Sequence, residues 1–148
     1  MKLNIELVPE TAWYSNLRTV LVASGWNKIR QQVLVRANGH CEVCDAEAKR
    51  LECHEIWKYD DATLVQSLYD VKALCRNCHR IKHFGLSLLK SQKGQVNIQT
   101  LENHFMKVNE CTYVEFKNHV NESFRAHGER SRQEWDIDIS NAARYLDD

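Results

Sequence analysis

Proline occurs once and glycine five times in 148 residues. That is too little of either for a flexible or proline-stiffened linker, and no internal repeat or low-complexity tract is visible. Long apolar runs are missing as well. No stretch approaches the roughly 20 residues that span a bilayer as a helix. Met1 to Pro9 carries a single lysine and no extended apolar core of the kind a secretory signal has, so the expectation is a cytoplasmic protein with no membrane contact. An excess of charge is missing too: 20 basic and 20 acidic residues cancel, which argues against a protein that coats nucleic acid passively. The charges are unevenly placed, however. Leu51 to Asp70 holds five acids and one lysine, whereas Val71 to Leu101 holds six lysines and arginines and no acid. A basic segment of that kind suits a phosphate-facing surface or, equally, a solvated helix face.

Cysteine is not scarce. Of six, four fall as two C-x-x-C pairs, Cys41-Glu42-Val43-Cys44 and Cys75-Arg76-Asn77-Cys78. Two thiolates one tight turn apart fit two vertices of a tetrahedral zinc ion, and two such pairs close the shell. That spacing, without a secretory pattern, reads as a metal site in a reducing compartment rather than as disulfides. A closed four-thiolate site staples a fold and leaves any chemistry to its neighbours. Cys53 and Cys111, outside the pairs, read as small buried hydrophobes, and Trp13, Trp26, Trp57 and Trp135 as core.

Histidines and acids gather around the pairs. His79 and His83 are four apart, so on a helix they share one face and can share one cation. His54 lies in Cys53-His54-Glu55-Ile56 and could supply a third imidazole from a preceding strand. Cys78 ties the start of the helix to the thiolate site, so a structural metal would hold the histidine pair in place.

On these residues the chain resembles the HNH endonucleases of the His-Me finger (ββα-metal) superfamily, in their zinc-knuckle form, over about residues 30–90. Cys41, Cys44, Cys75 and Cys78 match the knuckle, His79 the terminal metal-ligand histidine, and His83 a further histidine of some members. His54-Glu55-Ile56 aligns with the first motif. The resemblance implies a structural Zn²⁺ and a second divalent ion (Mg²⁺, Mn²⁺, Ni²⁺ or Zn²⁺) on His54, His79 and His83. It also implies phosphodiester hydrolysis in nucleic acid, DNA in first place, with the ion as Lewis acid. Glu55 takes the slot of the family's general-base histidine, and a carboxylate can accept a proton from water. In another register His54 is the base and Cys53 takes the ligand slot. Arg76, Arg80 and Lys82 would hold phosphates. The family's asparagine five residues before the second C-x-x-C is Asp70 here.

Two other readings use the same residues. Glu55 and Asp70 could mark a lapsed HNH site that only binds nucleic acid or protein. Cys53-His54-Glu55 followed by Cys75 and Cys78 also resembles the zinc-deaminase signature. There Leu74 stands in place of the proline, nineteen residues separate Glu55 from Cys75, and Cys41 and Cys44 have no task.

The expected fold is α+β: a small ββα-metal core with a four-cysteine knuckle, wrapped by N- and C-terminal helices in a single domain. Its parts are an N-terminal strand and helices over 1–38, the knuckle core over 39–90 and a helical extension over 91–148. Alternation predicts a strand over Lys2 to Val8 and a closing strand around Trp135, Ile137 and Ile139 that could pair with it. Helical spacing predicts helices over Thr11 to Ala23, with Gly25 interrupting, and over Trp26 to Asn38, capped by Gly39. Lys49 to Ile56 reads as a strand, Tyr59 to Thr63 as a turn, and Leu64 to Leu74 as strand or loop. A helix is expected over Asn77 to Lys90, or to Phe84 if Gly85 ends it, and another over Leu101 to Glu110. A further helix, Thr112 to His127, opens on a Thr112–Glu115 capping box, and Tyr145 to Asp148 should fray.

Overall fold

The structure, a computed structural model, describes residues 1–13 and 17–146, the side chains of Arg18 and Thr19 excepted. It is mixed α+β, built around one hairpin. Strand β1 (Glu52–Asp60) runs antiparallel to β2 (Val65–Leu74), from Glu52 opposite Leu74 to Asp60 opposite Val65, with a bulge between Ile56 and Trp57. The segment that read as strand or loop is thus a strand, because Leu68, Val71 and Ala73 each have a buried face to fill. The hairpin closes where the Asp60 carboxylate accepts the N–H groups of Ala62 and Thr63 at 2.9 and 3.1 Å. These bonds also hold the Asp60 carboxyl below its usual range. Leu64 completes the turn with φ at 58°. A third strand, β3 (Asp136–Asp138), adds to the free edge of β2 in parallel.

One face of this sheet is covered by α2 (Ala23–Ala37), whose Trp26, Ile29 and Val33 meet Trp57, Leu68 and Val71 in one core. Gly25 lies inside α2 and does not interrupt it; the break falls at Val22, which has extended backbone. Before it come a 3₁₀ turn, Glu10–Ala12, and the short α1 (Leu17–Val20). The rest of the expected Thr11–Ala23 helix, Tyr14 to Asn16, lies outside the described residues. Trp13, expected in the core, is 62% exposed, while Trp26, Trp57 and Trp135 are buried. Helix α2 ends on two left-handed residues, Asn38 and Gly39, with φ at 49° and 79°. Asn38 is itself the cap, donating to the Leu34 carbonyl, and Gly39 turns the chain into the first cysteine pair.

A second core lies beyond the hairpin. Here α3 (Arg76–Lys82), α4 (Phe84–Gln92), α5 (Ile98–Asn109) and α6 (Tyr113–Arg130) pack Ile81, Phe84, Leu101, Phe105 and Phe116 against Leu3 and Ile5. The single expected Asn77–Lys90 helix is two helices, parted at His83 (φ −97°, ψ 49°). Gly85 sits within α4. The carbonyl of Arg80, which loses its helical partner at the break, accepts the Ser87 hydroxyl at 2.7 Å instead. The capping box at α6 forms as expected, with the Thr112 hydroxyl accepting from Glu115 N–H and the Glu115 carboxylate from Thr112 N–H.

The N-terminal alternation is real, but it makes no strand. Leu3 and Ile5 are buried, yet their backbone partners come from helices. Leu3 N–H donates to the Asn109 side chain at 2.8 Å, Ile5 N–H to His119 Nε2 at 2.9 Å, and Glu6 N–H to the Lys82 carbonyl at 3.1 Å. The closing strand therefore pairs with β2 and not with residues 2–8. The far C-terminus does not fray as far as the described residues go. Helix α7 (Ala143–Leu146) buries Tyr145, which packs with Ala142 against the α2–sheet core. Among the described residues no helix is long and apolar enough to cross a membrane.

Candidate metal centre

The first cysteine pair sits in a tight loop just after α2. Cys41 N–H donates to the Ala46 carbonyl, Asp45 N–H to the Cys41 carbonyl, and Ala48 N–H to the Gly39 carbonyl, each at 2.9 Å. Asp45 turns the loop with φ at 63°. Glu42 bolts the loop to the sheet. Its carboxylate takes both Arg36 Nε and Nη2 at 2.8 Å and the Ala73 N–H at 3.0 Å. Its own N–H reaches the Ala73 carbonyl at 2.9 Å. The second pair opens α3. Cys75 is the N-cap, and its Sγ accepts the Cys78 N–H at 3.5 Å.

Together the pairs bring the sulphurs of Cys41, Cys44, Cys75 and Cys78 within 4.8 Å of one another. Cys44 and Cys75 Sγ are 3.7 Å apart. A tetrahedral ion at a Zn–S distance of about 2.3 Å puts its sulphurs about 3.8 Å apart, so the donor set and spacing could hold a zinc ion. Without a cation Cys41, Cys75 and Cys78 cannot all ionise. Hydrogen bonds from Cys75 and Cys78 pull Cys41 well down, while the bond to Cys41 pushes Cys75 up to about 11 and raises Cys78 further. One contributor was missed by sequence reasoning. His104 on α5 places Nε2 3.2 Å from Cys78 Sγ, where an N–H would stabilise the thiolate. It lies 26 residues from Cys78, and no local spacing marks it.

Helix α3 carries Cys78 toward this cluster and His79 away from it. His79 meets His54 of β1 and His83 at the α3–α4 break. The three ring centres are 4.7, 4.8 and 5.6 Å apart, and each pair is steeply inclined, at 70° to 84°. One potential ligand atom from each lies within 4.8 Å of the others. Imidazoles sharing a cation at about 2.1 Å would have ring centres roughly 4.6–5.4 Å apart; both His83 pairs lie in that range and His54–His79 lies just beyond it, so these three could also hold a metal ion. His54 is buried, His79 half-buried and His83 exposed at its outer edge. Protein crowds the inner side of the His83 ring. That burial and the two neighbouring imidazoles lower its pKa to about 4, which keeps it neutral and able to donate a lone pair.

A carboxylate partner of this cluster was also missed. Glu6, on the N-terminal segment, accepts from His54 Nε2 at 2.9 Å and from Lys82 Nζ at 3.0 Å. Burial pushes the Glu6 carboxyl up, but the His54 bond and the Lys82 charge outweigh it and hold the group below its ordinary range. Lys82 is 3% exposed and also donates to Asn4. Its ammonium is thus committed inside the protein and does not face a phosphate as the sequence suggested. Arg76 is exposed and Arg80 half-buried, and both lie on the surface of α3.

Glu55 is half-buried, and its Oε1 accepts the Leu17 N–H at 2.9 Å at the start of α1. It lines a cavity of about 770 Å³ with Glu6 and His83. Asp70 is remote from this chemistry. It takes the Tyr145 hydroxyl and Arg144 of α7, the latter at 2.9 Å, and so ties the chain's end to β2. Cys53 is buried on the α2 side of the hairpin. It does not join the four-sulphur group, whereas Cys41 and Cys44 do.

The fold and site thus define an α+β protein with a compact four-cysteine cluster that could bind zinc, beside a cluster of three histidines. Comparison with protein-family models, with curated proteins and with solved structures finds no match to this chain.

Proposed function

We propose that the chain is a metal-dependent endonuclease of the HNH type, hydrolysing phosphodiester bonds in nucleic acid, DNA in first place. The observation that carries the reading is the convergence of His54, His79 and His83 on a strand and helix stapled by the four cysteines. These histidines would hold a divalent ion, Mg²⁺, Mn²⁺, Ni²⁺ or Zn²⁺, which when bound supplies Lewis-acid stabilisation of the scissile phosphate. Glu6 accepts the Nε2 proton of His54, which fixes the tautomer and leaves Nδ1 as the lone-pair nitrogen. Glu55, on the wall shared with His83, takes the proton of the attacking water. Arg76 and Arg80 on α3 hold the flanking phosphates through their guanidinium forks and read no base.

The second reading is a non-catalytic nucleic-acid module of the same fold. The bond from Leu17 N–H to Glu55 favours it, since a carboxylate that caps a helix is less free to accept a proton. Plasmid nicking in the presence of Mg²⁺, Mn²⁺ or Ni²⁺ separates the two. The nuclease reading expects nicking that His79→Ala abolishes and Glu55→Gln lowers by roughly a hundredfold or more. No cleavage of DNA or RNA with any of the ions would leave the binding module. Cleavage unchanged in Glu55→Gln would remove Glu55 from the mechanism.

A further inference from the structure

The cavity of about 770 Å³ that Glu55 and His83 line is bordered by an exposed apolar patch that hydrolysis does not use. Trp13 is 62% exposed, Leu86 53%, Leu89 59% and Phe124 37%, and all four residues line this one cavity. They come from three separate places, the N-terminal segment, α4 and α6. Leaving that much apolar surface in water is disfavoured, and such a patch marks a place where something binds. Trp13 is not a loose side chain. Its Nε1 donates to the Val8 carbonyl at 2.8 Å. The indole thus has its one polar group satisfied and its position fixed while most of its surface faces outward, as a stacking platform requires.

We propose that this patch takes unpaired bases of a single nucleic-acid strand by stacking, whatever their identity, with Trp13 as the platform. Three observations point to that occupant. The first is place: His83 lines the cavity, and its ring centre lies 4.7 Å from that of His79 and 4.8 Å from that of His54. The second is charge. Among the described residues no lysine or arginine lines the cavity, and its charged groups are the carboxylates of Glu6 and Glu55. Such a wall repels phosphate and suits the uncharged part of a nucleotide. The third is shape: the fixed indole and the Phe124 ring offer flat faces, and every base has a face to set against them. The four exposed side chains have no free donor or acceptor for a base edge, since Trp13 Nε1 is already engaged, so the patch reads no sequence. A base inside a duplex has both faces covered by its neighbours, so the occupant is single-stranded. The assignment rests on the nucleic-acid reading above but not on catalysis.

The test is equilibrium binding to the full chain with its zinc, in a His79→Ala background that prevents cutting. The probes are a short mixed-sequence DNA strand, its duplex, and a strand of the same length in which every base is replaced by an abasic spacer. The single strand should bind roughly tenfold or more tightly than the abasic strand of equal charge, and more tightly than the duplex. Tryptophan fluorescence should be quenched by the single strand alone. Strands of only dT or only dC should bind within about threefold of each other. Trp13→Ala should lower single-strand affinity about five- to tenfold and leave abasic binding unchanged. Phe124→Ala should act in the same direction, and it serves if the Trp13 variant fails to fold. An abasic strand bound as well as the normal one, or a gap between them that survives both variants, overturns the proposal. So does a duplex bound as tightly as the single strand, which leaves the nucleic-acid reading standing. No binding of any probe at low salt overturns both.

Discussion

Glu6 reaches across 48 positions of sequence to hold His54 Nε2 at 2.9 Å, and the same carboxylate neutralises the buried ammonium of Lys82. One carboxylate thus orients the first histidine of the cluster and compensates the charge at the end of α3. Removing its charge should do two things at once. Glu6→Gln leaves Lys82 buried without a counter-ion, and breaking such a pair costs about 3–5 kcal/mol. It also loosens His54, and loss of a carboxylate behind a ligand histidine typically weakens metal binding 10- to 100-fold. Urea unfolding and calorimetric titration with Mn²⁺ or Ni²⁺ measure the two effects. Adding Lys82→Met should restore most of the stability but none of the affinity. Recovery of both together would show that Glu6 acts on the cluster only through folding.

The four-sulphur group predicts one tightly held zinc per chain by elemental analysis. Cys41→Ser or Cys78→Ser should lose it and destabilise or unfold the protein, since binding free energy at such a site is folding free energy. Cys53→Ser should retain it, because Cys53 lies on the α2 side of the hairpin. The opposite pattern, zinc lost with Cys53 and kept without Cys41, would restore the deaminase-type ligand set. His104→Phe should keep the zinc but release it to a chelator about tenfold faster, as its 3.2 Å contact to the Cys78 sulphur is removed.

The parts of the site that could be read in advance came from short local patterns, joined to one another and to His54 by the spacing of a zinc site and by the family resemblance. The C-x-x-C pairs and the Thr112–Glu115 box are short-range patterns that take the expected form, whereas His79 and His83 come together although His83 sits at the end of α3 and not within it. What escaped was tertiary. Glu6 and His104 reach their places only through packing between distant segments, and no spacing rule encodes such distances. The N-terminal alternation reported burial correctly at Leu3 and Ile5 but not hydrogen-bond partners, because side chains of α5 and α6 fill the role of a neighbouring strand. The helix expected to run to Lys90, or to stop near Phe84 because of Gly85, stops at His83 and then resumes. Glycine is the usual suspect, yet at Gly85 the helix is kept, and the chain turns at His83. Lys82 was read from charge alone, which carries no information about burial.

His119 supplies a pH-sensitive joint outside both clusters. Its Nε2 must be unprotonated to accept the Ile5 N–H at 2.9 Å. Burial lowers its pKa, and the Lys82 and N-terminal charges add to that effect. A histidine whose folded pKa lies below its unfolded value contributes stability above the unfolded pKa, near 6.5. That contribution is lost as pH falls through the window toward the folded value. Stability measured by urea unfolding should therefore drop between pH 7 and pH 5. His119→Gln, which can still accept the Ile5 N–H but does not titrate, should show a shallower drop. Parallel profiles for the two proteins would mean that the Ile5–His119 bond does not sense pH.

The last structural joint lies at Tyr145, whose ring is buried against α2 and whose hydroxyl accepts from Arg36 at 2.8 Å while donating to Asp70. Asp70 in turn takes Arg144 at 2.9 Å. This joint fastens α7 to β2, the strand that leads directly into Cys75. Tyr145→Ala removes a buried ring, for which about 3–5 kcal/mol is the usual cost for an aromatic side chain. Tyr145→Phe keeps the ring but leaves part-buried Asp70 without its hydroxyl donor, at about 1–2 kcal/mol. Neither residue touches the histidines, so metal affinity in the folded fraction should be unchanged in both variants. The same calorimetric titration, run well below the melting temperature, checks this. A large fall in affinity with Tyr145→Phe would mean that the strand's far end does set the geometry of the histidine cluster.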